Sequence, residues 1–252
     1  MAQKPIILYD IASQVGSWSP NVWKAKYALA YYGVPYETHF LEFPEIEPKA
    51  KEIGAAPTGK WADGRDQYTC PFIQDPNTGK VVSDSLNVAI YLETTYLKDP
   101  KKTLFPAGTV TLQQAFGAAV FTKLGNAARF VLNQTAERMN PASKDYFYEA
   151  RKDMTGGAAL QDVKPKGDDI PKVWKAVEED FGAIDSWYAS KSDKFASGND
   201  KIIYVDVAVA GLFAWVRSVY GADSAEWGLA STWQNGRWGT YIKEFEKYEK
   251  SV

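Results

Sequence analysis

Cys70-Pro71-Phe72-Ile73-Gln74-Asp75-Pro76-Asn77-Thr78-Gly79-Lys80-Val81-Val82-Ser83-Asp84-Ser85-Leu86-Asn87 packs a hairpin and a helix start into one short segment. Two runs with strand character, Cys70 to Asp75 and Lys80 to Ser83, flank Pro76-Asn77-Thr78-Gly79, a turn of about four residues. The two strands must therefore be antiparallel. Pro71 cannot donate to a sheet ladder, so it belongs at the first residue of a strand or at an edge. Asp84 or Ser85, both good capping residues, then opens a helix through Leu86, Ala89, Ile90 and Leu97.

Toward the N-terminus, Pro5 to Asp10 is a β-branched and aromatic run that reads as a strand. A Ser- and Gly-rich loop, Ala12 to Ser19, leads to Ser19-Pro20, a favoured pair for the cap and first residue of a helix. That helix carries Val22, Ala25, Leu29 and Tyr32 on one face and stops at Gly33, with Pro35 just beyond. Tyr36 to Phe43 reads as a second strand, Pro44 to Gly54 as a charged exposed helix, and Gly54 to Thr69 as a loop containing Pro57, Gly59 and Gly64. The expected order is β-α-β-α-β-β-α, with the first two strands parallel across their helix. This describes a small mixed sheet covered by helices on both faces, spanning residues 1–97.

Toward the C-terminus, 98–108 reads as a linker, with Pro100, Pro106 and a Lys101-Lys102 pair. Beyond it, 109–252 shows no strand alternation. Leu112, Phe116, Val120, Leu124 and Ala128 step by four along one long expected helix. Val173, Trp174, Val177, Phe181, Ile184 and Tyr188 mark another. Val205 to Tyr220 is apolar almost all round and so central, and Trp233 to Tyr248 closes the chain as a last helix. Lys164 to Asp169 reads as a loop.

The 252 residues are ample for a real core, and 45% hydrophobic with 24% charged is the balance of an ordinary globular protein. A net charge of −2, with the 29 basic residues spread out, argues against nucleic acid, whose phosphates need clustered Lys and Arg. A single cysteine, Cys70, allows no intrachain disulfide and fits a reducing compartment. A single histidine, His39, leaves little for a His-rich metal site, and no metal is expected. The longest apolar run, Val207 to Val216, is about half of what spans a bilayer, so no membrane insertion is expected and a cytoplasmic location is inferred.

Three features converge on chemistry. Ser17-Trp18-Ser19-Pro20-Asn21-Val22-Trp23-Lys24 puts a hydroxyl at a helix N-terminus, where N–H groups and the helix dipole favour an anion or thiolate. Taken alone, Ser19 reads better as a simple cap. Cys70-Pro71, if its bond is cis, turns the Cys70 N–H and C=O outward, where an extended peptide can pair with them. Nothing near Cys70 in sequence would activate its thiol. Ser83-Asp84-Ser85 places a carboxylate and a hydroxyl at a second helix start, suited to a ligand carrying both an ammonium and a carboxylate group.

Together these pieces resemble the glutathione transferase family: Ser19-Pro20-Asn21-Val22-Trp23-Lys24, Gly33-Val34-Pro35-Tyr36-Glu37, Cys70-Pro71-Phe72 and Asp84-Ser85-Leu86-Asn87-Val88-Ala89-Ile90-Tyr91-Leu92. The motif around Ser19, with the long segment from Ala55 to Thr69, is most similar to its etherase-like fungal class, FuA. The resemblance implies an α/β thioredoxin-like N-terminal domain plus an all-α C-terminal helical domain, the cytosolic glutathione transferase fold. It implies glutathione as co-substrate, with Ser19 catalytic, Cys70 and Pro71 meeting the cysteinyl unit, and Asp84 with Ser85 holding the γ-glutamyl end. Ser17 and Asn21 are secondary glutathione candidates; Lys60 and Arg65 are candidates for the glycyl carboxylate. Relatives place Ser or Thr three residues before Asp206, where this chain has Ile203, so that capping box is incomplete.

The expected reaction is attack of a glutathione thiolate, stabilised by a hydrogen bond from Ser19, on electrophilic aromatic compounds, extending to cleavage of aryl ethers. Trp18, Phe116, Phe121, Phe130 and Trp215 are the candidate walls of the second-substrate pocket, although each is also a plain core residue by type. Aromatic residues make up 14% of the chain, which also fits an alternative, a protein that sequesters aromatic metabolites with weak catalysis. A regulatory relative without turnover is a third reading, disfavoured by the intact Ser19, Cys70-Pro71 and Asp84-Ser85 set. A homodimer is implied by the resemblance alone.

Overall fold

The computed structural model describes residues 3–190, 193–198 and 201–249. β1 (Ile6–Ile11) pairs in parallel with β2 (Tyr36–Leu41), Ile6 opposite Tyr36 and Ile11 opposite Leu41. α1 (Pro20–Tyr32) connects them and ends at Gly33, whose φ of +66° is the left-handed geometry glycine adopts without strain. α2 (Phe43–Ile53) follows.

β5 (Phe72–Asp75) and β6 (Lys80–Ser83) form the expected hairpin, Phe72 opposite Ser83 and Asp75 opposite Lys80. β5 also runs antiparallel to β1, with Tyr9 opposite Phe72. The sheet order is β2-β1-β5-β6, mixed as expected. Ile6, Leu8 and Ile73 on the two central strands are fully buried. α3 (Ser85–Tyr96) completes this half and packs on α1, burying Val88, Ala89 and Leu92.

The segment read as a loop, 54–69, contains a second small sheet. β3 (Gly59–Lys60) pairs antiparallel with β4 (Asp66–Gln67), closed by a turn through Gly64 at φ +85°. Strands of two residues carry no readable alternation, so nothing in the sequence pattern marks them.

Residues 98–108 are held rather than free. The Glu93 carboxylate accepts the Leu104 N–H at 2.7 Å, the Phe105 N–H at 3.2 Å and the Thr103 hydroxyl at 2.6 Å. It also accepts the Tyr32 hydroxyl at 2.6 Å, which joins α1, α3 and the connecting segment at one carboxylate.

The remainder is helical. The single helix expected through Leu112 and Ala128 is two: α4 (Val110–Thr122) and α5 (Gly125–Arg138). Lys123 and Leu124 donate to carbonyls three residues back, at 3.0 and 3.1 Å, and this tight turn breaks the run. A step of four is blind to such a break, and Leu112, the first member of the apolar series, is 69% exposed. α6 (Pro141–Ala150) was not foreseen; its polar residues and short length hide its period. α7 (Asp169–Ser186) and α8 (Tyr204–Tyr220) lie where expected. α9 (Ala225–Lys243) starts well before the expected Trp233. It is interrupted at Gln234, Asn235 and Gly236, all with positive φ, so the last expected helix is two segments around a left-handed turn.

Asp206 forms the surviving half of a capping box at the start of α8. Its carboxylate is fully buried and accepts the Ile203 N–H at 2.9 Å, the Ala196 N–H at 2.8 Å and the Tyr241 hydroxyl at 2.8 Å. Ile203 has no side-chain acceptor to return the bond, and the added partners at 196 and 241 take its place. Burial raises the Asp206 pKa to about 6 against these hydrogen bonds.

Candidate functional site

Strand direction places the three sequence features together. β1 ends at Ile11 and its loop runs to Ser19. β5 is antiparallel to β1, so Cys70-Pro71 precedes it at that same end of the sheet. β6 is antiparallel to β5 and delivers Asp84 there as well. The N-termini of α1 and α3 therefore both open at one end of the sheet with their dipoles toward an anion; the first turn of α1 has no side-chain cap, whereas that of α3 is capped by Asp84.

Ser19 occupies the cap position of α1, and its carbonyl accepts the Trp23 N–H at 2.9 Å. Its hydroxyl caps nothing. The residue is 5% exposed, and the hydroxyl has no hydrogen-bond partner among the described residues. The simple capping explanation therefore fails for this side chain.

The Cys70-Pro71 bond is cis. The Cys70 thiol is buried, and burial with the nearby Asp10 charge pushes its pKa well up, away from nucleophilic use. The Pro71 carbonyl accepts the Asp84 N–H at 3.2 Å, which ties the second feature to the third.

Asp84 does cap its helix: one carboxylate oxygen, Oδ1, accepts the Leu86 N–H at 2.9 Å and the Asn87 N–H at 3.3 Å. It does so from a φ of +76°, a strained value for a residue with a Cβ. Ser85 is buried, and its hydroxyl accepts the Tyr204 hydroxyl of α8 at 3.4 Å. The helical half thus reaches the start of α3.

The secondary candidates divide. The Ser17 hydroxyl is engaged between Asp10 and Lys26, at 2.6 and 2.7 Å. Asn21 is exposed and accepts the Lys24 ammonium at 2.8 Å. Lys60 and Arg65 stand on the β3–β4 hairpin in exposed ion pairs, with Asp66 at 2.5 Å and Asp63 at 2.7 Å. Exposed pairs of this kind contribute little and exchange partners readily.

The five aromatic candidates do not share one pocket. Trp18 is 3% exposed and meets Phe147 of α6 edge-on at 6.0 Å. Phe116 packs on Trp187 and Tyr188, and Phe121 is largely exposed. Phe130 stacks on Trp174 at 4.6 Å, and Trp174 and Trp215 line a small apolar cavity of about 30 Å³ between α5, α7, α8 and α9. A larger cleft of about 640 Å³, lined by Arg237 and Tyr241, lies wholly within the last third of the chain and includes none of the candidates.

Sequence reasoning missed Tyr204 and Lys24 as neighbours of the site. Lys24 packs its stem against Gly211 of α8, burial lowers its pKa, and the charge of Asp84 raises it again. Lys24 lay inside the motif that was read, but only the fold shows its proximity to Asp84. Tyr204 lies 119 positions from Ser85 and has no local signal. Among the described residues, no group of three His, Cys, Asp or Glu side chains could hold a metal ion, and no helix is long and apolar enough to cross a membrane.

Comparison with known proteins gives two family matches: "Glutathione S-transferase, N-terminal domain" over residues 18–95 and "Glutathione S-transferase, C-terminal domain" over 111–248. The chain is 27% identical over 229 residues to the glutathione S-transferase-like protein ustS of Aspergillus flavus, covering 84% of this chain and 80% of that one. Among solved structures it is similar to glutathione transferase GSTFuA3 of Phanerochaete chrysosporium, with a TM-score of 0.90 and 35% identity over the full length of both chains. It is also similar to the glutathione S-transferase CsGST63524 of Ceriporiopsis subvermispora, solved with glutathione, with a TM-score of 0.90 and 37% identity over 99% of each chain.

Proposed function

The chain belongs to the glutathione transferase family, and on that premise we propose that it binds glutathione where β1, β5 and β6 end and that Ser19 holds the bound sulfur as a thiolate. The observation that carries this reading is the Ser19 hydroxyl, positioned at a helix N-terminus and left without a partner by its own helix. Glutathione bound in the Ceriporiopsis relative supports the co-substrate.

The γ-glutamyl carboxylate meets the N-terminus of α3 beside Ser85, and the second carboxylate oxygen of Asp84 takes the ammonium group. The cysteinyl unit pairs with the main chain of Cys70 ahead of Pro71, whose bond is cis. Lys60 or Arg65 exchanges its exposed aspartate for the glycyl carboxylate. A free thiol has a pKa of about 8.5, so the site must favour the anion to act at neutral pH. A hydroxyl donated to sulfur, with the α1 dipole behind it, does so.

The thiolate then attacks an electrophilic carbon of an aromatic substrate. The C–S bond forms, the bond to the leaving group breaks, and a halide or aryloxide departs with its electron pair. Aryl-ether cleavage is the aryloxide case. We further assign residues 1–97 to a glutathione-binding domain, 98–108 to the linker and 109–252 to the helical domain facing the second substrate, in a cytoplasmic homodimer.

The test is Ser19→Ala in steady-state conjugation assays across several electrophiles. A hydrogen bond to a charged partner contributes about 1.5–3 kcal/mol, so kcat should fall roughly 10- to 100-fold with glutathione affinity nearly kept. Unchanged turnover would remove Ser19 from the reaction. Tight binding of aromatic compounds without turnover in the unmutated protein would instead favour sequestration.

A further inference from the structure

Beneath the loop that presents Ser19 lies a partly buried polar relay. Asp10, on β1, is fully buried. One of its oxygens accepts the Ile11 N–H at 2.7 Å and the other accepts the Ser17 hydroxyl at 2.6 Å. Ser17 has one proton to give and gives it to Asp10; its oxygen accepts the Lys26 ammonium at 2.7 Å. Lys26 and Asp10 are thus an ion pair bridged by a single hydroxyl.

The relay joins the two ends of one loop. Asp10 lies just before the chain leaves β1, and Ser17 lies two residues before Ser19. The loop between is fastened elsewhere too: Ala12 N–H donates to Leu41 at 2.8 Å, and Gln14 donates to Arg138 and Met139 at 2.9 and 3.1 Å. The Trp18 ring is fixed in the core against Phe147. Ser17 is the last polar tie before Ser19, and charge-assisted bonds at both ends of its hydroxyl make it a stiff one.

We propose that Ser17 is the positioning residue for Ser19, its hydroxyl fixed between Lys26 and Asp10 so that the Ser19 hydroxyl stands where a bound sulfur can receive it. The inference rests on the reading of Ser19 given above. Ser17 touches no substrate in this role, because its donor and its acceptor are both engaged inside the protein. The charged and titratable groups facing the relay come from several elements: Asp10 from β1, Lys26 from α1, the neutral Cys70 thiol ahead of β5, and Glu249 from the C-terminal end, which acts on Lys26. The Trp23 ring also lies 5.0 Å from the Lys26 ammonium.

The test compares the unmutated protein with Ser17→Ala, Ser19→Ala, the double variant and Ser17→Thr. Two quantities are measured: glutathione affinity by calorimetry, and the pH at which bound glutathione gains thiolate absorbance. Ser19→Ala should raise that pH. Ser17→Ala should raise it by at least half as much, lowering the thiolate population at neutral pH roughly three- to tenfold, with affinity within about twofold. The double variant should match Ser19→Ala alone, and Ser17→Thr, which keeps a hydroxyl, should restore the original titration.

A Ser17→Ala titration equal to the unmutated one would overturn the inference. So would effects of the two serines that simply add, since Ser17 would then act on the sulfur independently. If bound glutathione in the unmutated protein titrates like the free thiol, the reading of Ser19 itself fails. Loss of affinity and melting temperature in Ser17→Ala with no titration change marks a purely structural residue and also overturns the inference.

Discussion

Ser19 and Ser224 both precede helices, and their hydroxyls do different things. Ser224 accepts the Trp227 N–H at 3.1 Å and is consumed by α9, whereas the Ser19 hydroxyl is left free at the start of α1. Their alanine variants should therefore dissociate. Ser224→Ala should lower stability by about 0.5–2 kcal/mol in chemical denaturation and leave conjugation intact. Ser19→Ala should do the reverse.

Asp206 gives a pH prediction at the same scale. Its folded pKa, about 6, lies above the ordinary 3.8 because burial disfavours the charged form. A raised carboxyl pKa adds stability that is complete below pH ~4 and is lost as pH rises through ~6, by up to about 3 kcal/mol. Denaturation of the protein and of Asp206→Asn at pH 4 to 8 should show their stability gap narrowing as pH rises. Asp206→Asn should still be the weaker at every pH, since its amide cannot accept from both the Ile203 and Ala196 N–H groups. A gap independent of pH would contradict the raised pKa.

Among elements, the carboxylate of Glu93 fastens three pieces at once. Glu93→Gln must turn an amide N–H toward one of the donors from Tyr32, Thr103, Leu104 or Phe105. It should cost roughly 1–3 kcal/mol, read as a lower thermal midpoint. The sequence announces none of this, because four donors from two segments converge on a carboxylate of a third only once the chain has folded. What it does announce are elements whose period or punctuation is local. Ser19-Pro20 to Gly33 brackets α1, and Pro76 to Gly79 separates β5 from β6. The breaks in the helical half are silent for the same reason. Leu124 keeps an apolar period running through a turn, and the Asn235-Gly236 turn pair is masked by the apolar series Trp233, Trp238, Tyr241 and Ile242 around it.

For the whole molecule, the meeting of α1 and α8 matters most. A Cβ added at Gly211 would lie 2.7 Å from the Pro20 carbonyl oxygen and 3.3 Å from the Lys24 stem. Gly211→Ala must therefore push α8 off the start of α1. It should lower stability by about 1–3 kcal/mol and weaken glutathione binding in parallel, as calorimetry would show. Lower stability with unchanged binding would mean that the two halves adjust independently. The candidate site was legible up to this boundary. Ser19, Cys70-Pro71 and Asp84-Ser85 were legible as local motifs that the β1–β5 and β5–β6 pairings then bring together, while Tyr204 and Gly211 reach the site from a helix more than a hundred residues later.

That close approach has a consequence for how the protein can diversify. Under the proposed function, side chains on α4 and α5 can drift and reshape what is accepted while the sulfur chemistry stays as it is. Along the α8 face toward α1 there is no such latitude, because one added methyl group at Gly211 is felt at the residue after Ser19. A library meant to broaden substrate range should hold that row of α8 fixed and place its variation elsewhere.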